Sequence, residues 1–187
     1  MVQIYKHASG YPATLYCSPL FYYYFVGFDD HGNLFLDGED ISNQFHLCRA
    51  KETDTSFTPM TIGHGTIRFP GMVQWYAPGH YLAVGDQECG FQRSTCIYKL
   101  SVHGLNAKVV GSTTPFTYKG GPACDIVQGV IGGGRHATLY GGDYEGCKTA
   151  DTTVDRWAYP NAGFPGAYYD NSAFIEEPIG AAISIKP

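Results

Sequence analysis

The chain has 187 residues, a formal charge of −5 and a pI near 5.7, and its 12 Lys and Arg are scattered. A net-negative chain without a basic patch excludes a nucleic-acid polyanion as the main partner. Charged residues make up only 16% against 24 Gly, 11 Pro, 15 Tyr and 11 Phe, which predicts short strands and tight turns rather than long helices.

Residues 2–9 and 10–16 read as two leading strands, the second entered through a Gly-Tyr-Pro turn. No signal peptide shows, because Met1 leads directly into Val-Gln-Ile-Tyr-Lys. Next comes Phe25-Val-Gly-Phe-Asp-Asp-His-Gly-Asn-Leu-Phe-Leu-Asp-Gly-Glu-Asp40, a hairpin signature in which Gly32 suits the left-handed position of the turn. The surrounding unit is expected as strands at 21–28, 33–38 and 43–50, with a weak fourth at 57–62. The most apolar run, residues 20–28, is far short of the ~20 residues of a membrane-spanning helix.

The hairpin pattern returns as Met72-Val-Gln-Trp-Tyr-Ala-Pro-Gly-His-Tyr-Leu-Ala-Val-Gly-Asp86, and again, looser, between Ile126 and Asp143. The second unit is expected at 71–76, 81–85, 95–102 and 107–112. The third is expected at 125–131, 137–141, 153–159 and 166–170, and a last strand at 179–185. The turn glycines Gly38, Gly85 and Gly142 recur about every 50 residues, near the ~40–50-residue period of four-stranded propeller blades. A β-sandwich also has regularly spaced short strands, but it does not require four-strand self-similarity. Inner strands of blades are buried on both faces and should lose alternation, as 21–28 and 179–185 do.

The expected fold is therefore all-β, a β-propeller of about three complete four-stranded blades at 17–65, 66–117 and 122–172. Residues 1–16 and 173–187 are expected to belong to incomplete blades. Fifteen strands fall short of the twenty-four in six blades, so an open arc or incomplete ring is expected. Blade edges left unpaired invite homodimerisation.

The hairpin Gly27-Phe-Asp-Asp-His-Gly-Asn-Leu-Phe-Leu-Asp-Gly38 resembles the inner hairpin of NHL-type and lyase-type bacterial propellers. Val73-Gln-Trp75, Tyr81-Leu-Ala-Val-Gly-Asp-Gln87, Trp157-Ala-Tyr-Pro-Asn-Ala-Gly163 and Pro178-Ile-Gly-Ala-Ala-Ile-Ser184 are similar to the C-terminal half of secreted bacterial propellers of the virginiamycin B lyase-like type. The resemblance implies six blades in a complete member, and it speaks to fold more than to function.

The six cysteines contain no C-x-x-C pair and stand at no zinc-like spacing from the histidines. Strand order instead suggests two disulfides, Cys89–Cys96 across one inter-strand connection and Cys124–Cys147 at one end of the third unit. Cys17 and Cys48 fall at opposite ends of their unit and are left unpaired, or paired with something missing from the chain. Two bridges favour an oxidising compartment, hence an extracellular or cell-surface location; buried thiols are the competing reading.

Asp37, Glu39, Asp86 and Asp143 stand beside the repeated turn, and Glu39, Asp86 and Asp143 form a candidate ligand or cation rim. Such a ring could hold Ca²⁺ or another divalent cation, although Gly-Asp pairs are also ordinary exposed turn formers. As exposed turn charges they would be replaceable by Asn with little effect on folding. His46, His64 and His103 lack a nucleophile or acid at a telling spacing, and no Gly-x-Ser-x-Gly elbow or phosphate loop occurs. No catalytic residue, metal ligand or cofactor is assigned. Aromatics such as Tyr22, Tyr24, Trp75, Tyr76 and Trp157 serve either inter-blade packing or a sugar-binding face. The expected function is a non-catalytic module that binds a protein or glycan through one loop rim; the alternative is a metal-dependent lyase or lactonase-like propeller enzyme.

Overall fold

A computed structural model describes residues 1–5, 9–90, 94–143, 153–169 and 179–182. Strands β1 (Val2–Ile4) and β2 (Ala13–Leu15) pair antiparallel as a separate hairpin. The first sheet is β3 (Tyr22–Phe28), β4 (Leu34–Glu39), β5 (Phe45–Ala50) and β6 (Thr58–Pro59), each antiparallel to the next. The second contains β7 (Thr61–Gly63), β8 (Pro70–Tyr76), β9 (Tyr81–Asp86), β10 (Cys96–His103) and β11 (Asn106–Thr113), in the order β7-β11-β10-β9-β8. The third is β12 (Val130–Gly132), β13 (Thr138–Gly142), β14 (Val154–Ala158) and β15 (Ala167–Tyr169). The fold is all-β, and none of these sheets closes on itself.

The hairpin β3–β4 forms where its turn chemistry places it. Asp29 accepts the backbone N–H of His31 and of Asn33, while Gly32 supplies a φ of 76°. Three expectations are corrected. The strand expected at 57–62 divides: β6 pairs with β5, and after Met60 the chain crosses to the second sheet, where β7 runs parallel to β11. The segment 125–131 is mostly not strand, because Asp125 takes a left-handed φ of 46° and the ladder begins only at Val130. Loss of alternation belongs to β4 and β9, both nearly wholly buried, whereas β3 alternates. A second strand has a hydrogen-bonded neighbour on each edge and packing on each face, whereas β3 ends the order of its sheet. Of the expected last strand, residues 179–182 are described, and Gly180 bridges Gln128 in parallel.

Sheets stack face on face in chain order, with one apolar layer between each pair. Leu15, Cys17 and Leu20 cover Leu34, Leu36, Cys48 and Ala50 on the outer face of the first sheet. Phe35 and Leu47 meet Val73, Leu82, Val84 and Leu100 between the first and second. Met72, Ala83 and Ile97 meet Ile126, Leu139 and Trp157 between the second and third. Full burial of each large apolar side chain contributes about 1.5–3 kcal/mol, so these layers are the main source of stability.

First strands lie side by side. Gly27 of β3 packs so closely on the Val73 backbone of β8 that a Cβ there would clash. Gln74 of β8 then clips the third sheet, its amide donating to Ile131 O and accepting from Ile131 N, both at 2.7 Å. Phe25, Met72, Gln74, Gly129 and Ala181 line one cavity of about 320 Å³, so segments from all three sheets and from 179–182 surround a common space.

Candidate functional site

The parallel first strands give the stack two distinct ends. Register puts Glu39 opposite Tyr22 and Asp86 opposite Pro70, at the start of β3 and of β8. Asp143 follows β13 and meets the chain that enters β12. The three candidate rim acids therefore share one end, but they are not exposed turn charges. Asp86 and Asp143 are completely buried and Glu39 is only 4% exposed.

Their oxygens have structural partners. Asp86 accepts the backbone N–H groups of Arg68, Phe69 and Glu88 at 2.9–3.1 Å. Asp143 does the same for Cys124 N at 2.8 Å. In both places a Gly-Asp pair ends the second strand and holds the segment that leads into the first. Glu39, with its longer side chain, instead accepts the hydroxyl of Tyr24 at 3.2 Å. Chain segments entering a sheet edge carry donors that no ladder serves, and a buried carboxylate supplies the acceptor. The expectation that Asn would substitute harmlessly is corrected accordingly.

Asp37 is the odd member. Its side chain is fully buried, Oδ1 accepts Phe25 N at 2.8 Å, and Oδ2 has no hydrogen-bond partner. Burial pushes its carboxyl well above the usual carboxylate range, the Phe25 N–H partly opposes that, and the charge of Glu39 reinforces it.

Disulfides revise the sequence pairing. Cys89 and Cys96 are bonded as expected, with Cα atoms 5.7 Å apart. Cys17 and Cys48, expected unpaired, are also bonded, at 6.5 Å. The chain before β3 crosses the face of the first sheet, so Cys17 meets the middle of β5 and not its far end. The Cys124–Cys147 pairing involves Cys147, which lies outside the described residues.

The opposite end is built from turns. Asp29–Asn33 joins β3 to β4, Gly104 sits between β10 and β11, and Trp75 is the next-to-last residue of β8. Between them is a cavity of about 320 Å³ lined by Asp29, His31, Asn33, Phe35, Arg49 and Trp75. Arg49 crosses from the first sheet to donate Nη1–H to Gly104 O at 2.9 Å, and its guanidinium lies over the Phe35 ring at 5.8 Å. Two N–H groups remain, Arg49 Nε and Trp75 Nε1; both are buried and neither has a hydrogen-bond partner.

Sequence reasoning treated Trp75 as one packing aromatic among many and passed over Arg49. The missed signal is their place at the cavity end of paired strands, since Trp157, the other tryptophan, donates Nε1–H to Phe116 O at 2.8 Å. Among the described residues, the group of three ligand-bearing side chains close enough for a metal ion is Asp29, Asp30 and His31. Asp29 already accepts three hydrogen bonds within its own turn, and Asp30 pairs with His31 at 2.8 Å. Of the histidines considered as bases, His46 pairs with Asp40 at 3.0 Å and His103 meets Ser101 Oγ at 3.3 Å, on an exposed strand end. Among the described residues, no helix is long and apolar enough to cross a membrane. No family model and no curated protein sequence matches the chain.

Proposed function

We propose that the chain is a non-catalytic, secreted or cell-surface β-propeller module of the NHL / virginiamycin B lyase-like type, which binds a protein or glycan through a loop rim. Three sheets in chain order, each with four antiparallel strands and with their first strands around one cavity, support the propeller reading; of the expected blade spans 17–65, 66–117 and 122–172, the first gives up Thr61–Gly63 to the second sheet. Two disulfides are compatible with an oxidising, extracellular setting.

One observation carries the binding function: the turn-built cavity between the first two sheets, with Asp29, His31, Asn33, Arg49 and Trp75 in its wall. Ligand sites are concave, largely apolar and furnished with a few convergent polar groups. Of the rim acids considered for a metal-dependent lyase or lactonase, Asp86 and Asp143 accept backbone N–H groups and Glu39 accepts the Tyr24 hydroxyl, all at the other end. The test is to probe the intact chain against arrays of glycans and surface proteins, with lactone and lyase turnover assayed alongside in Ca²⁺ or Mn²⁺. Saturable binding without turnover is the expected result. Turnover dependent on the cation, with a matching rise in thermal midpoint, would overturn it.

A further inference from the structure

We propose that the recess between the leading hairpin and the first sheet binds a small, neutral, apolar ring compound of about six to nine non-hydrogen atoms. Leu34 of β4 faces the leading hairpin and Phe35 faces the second sheet, so this recess and the turn-built cavity lie on opposite faces. The proposal therefore stands apart from the loop-rim reading.

The recess follows from residue size. Hairpin β1–β2 lays Ile4 and Leu15 on the outer face of the first sheet. Beside them the hairpin offers Ala13, the partner of Ile4, and the sheet offers Ala50, the partner of Leu34. Each contributes only a methyl group where longer side chains would interdigitate. A space of about 120 Å³ is left among Ile4, Ala13, Leu15, Phe28, Leu34 and Ala50. Protein interiors seldom leave such voids, and an apolar cavity of about 150 Å³ stays dry and holds benzene.

One side of the recess is open to solvent. Phe28, the cross-strand partner of Leu34, is 60% exposed although it lines the recess, and Ala13 is exposed beside it. Leu15, Leu34 and Ala50 are nearly buried and close the floor. A ring seated there covers Phe28, Ile4 and Ala13, and the burial of apolar surface drives its entry. The lining asks for no hydrogen bond. At the mouth, Asp54 Oδ2 already accepts Lys51 N–H at 2.8 Å, and among the described residues no buried side-chain polar atom without a partner lines the recess. A sugar would shed water from its hydroxyls with nothing to replace it. Glu52 and Asp54 outnumber Lys51 at the mouth, which disfavours a carboxylate on the ligand. An isolated two-stranded hairpin is marginally stable, so a ligand here also ties β1–β2 to the first sheet.

Methyl groups of the lining provide the test. ¹H–¹³C spectra of the intact chain are recorded while toluene or p-cresol is added, with benzoate and glucose as controls. The Ile4, Ala13 and Ala50 methyl resonances should move saturably, with a Kd of about 1 mM for so few atoms. The Leu139 methyls, in the layer between the second and third sheets, should stay in place as a reporter of folding. Ala13→Leu fills the recess from an exposed position and should weaken binding about tenfold. Gln3→Leu adds similar bulk to the other face of the hairpin and should leave binding unchanged. Phe28→Ala removes the aromatic wall and should weaken binding about fivefold. The proposal is overturned by unsaturable shifts, by Leu139 shifts as large as those of Ile4, or by benzoate or glucose binding as tightly as p-cresol. Full binding by Ala13→Leu with native Leu139 resonances, or equal weakening by Gln3→Leu, would overturn it too. If Ala13→Leu displaces the Leu139 resonances, Phe28→Ala decides, and unchanged binding there removes the site.

Discussion

The two ends of the stacked sheets solve the same physical problem in opposite ways. At one end, the segments entering β8 and β12 bring backbone donors into the interior, and Asp86 and Asp143 satisfy them. At the other end, turns meet without such an acceptor, and Arg49 Nε and Trp75 Nε1 stay unpaired beside a cavity. Donors met by a charged acceptor hold their segment rigidly, and unpaired buried donors cost stability. Carboxylates thus serve backbone donors at one end, while at the other Asp29 serves its own turn and Arg49 reaches across to Gly104.

The sharpest break of that comparison is Asp86→Ala, which leaves three backbone N–H groups without their charged acceptor. It should lower unfolding free energy by on the order of 4 kcal/mol in urea titrations, and a loss below 1 kcal/mol would mean that the end is not held by this residue. Replacing Cys17 and Cys48 together by Ser should cost about 3–4 kcal/mol, because that bridge closes a separation of 31 residues. The same change at Cys89 and Cys96, a separation of 7 beside Asp86, should cost about 2 kcal/mol. Equal losses at the two bridges would argue against the loop-closure account.

Asp37, whose Oδ2 lacks a partner, offers a pH test at the carboxylate end. Its folded pKa is raised above the unfolded value by burial, so the folded state holds the extra proton. Its contribution is full below the unfolded carboxylate range and is lost as pH rises through the folded pKa. Asp37→Asn should flatten that decline, measured as denaturation midpoint against pH; an unchanged slope would place the proton elsewhere. The smallest effect belongs to the cavity end. Trp75→Phe should change stability by no more than about 1 kcal/mol, since the loss of packed ring area is offset by removal of an unpaired donor.

Much of the scaffold was legible along the chain. The repeated hairpins announced β3–β4, β8–β9 and the turn between β12 and β13, because apolar runs around Gly-bearing turns are local signals. Cys89 and Cys96 were readable for the same reason, flanking a single connection. What lay beyond the sequence depended on which faces met. The passage of the lead-in segment across the first sheet decided the Cys17–Cys48 bond, and β7 joined the second sheet through a parallel pairing that no local pattern encodes. Burial of Asp86 and Asp143 was hidden too, since a Gly-Asp pair reads alike whether water or backbone N–H surrounds the carboxylate. The sequence by itself determined most of the strands and the turns of the repeated hairpins, but not the split at Met60 or the late start of β12. Tertiary structure alone decided which polar atoms found partners, because a hydrogen bond between segments is set by their approach in space and leaves no periodic mark in either one.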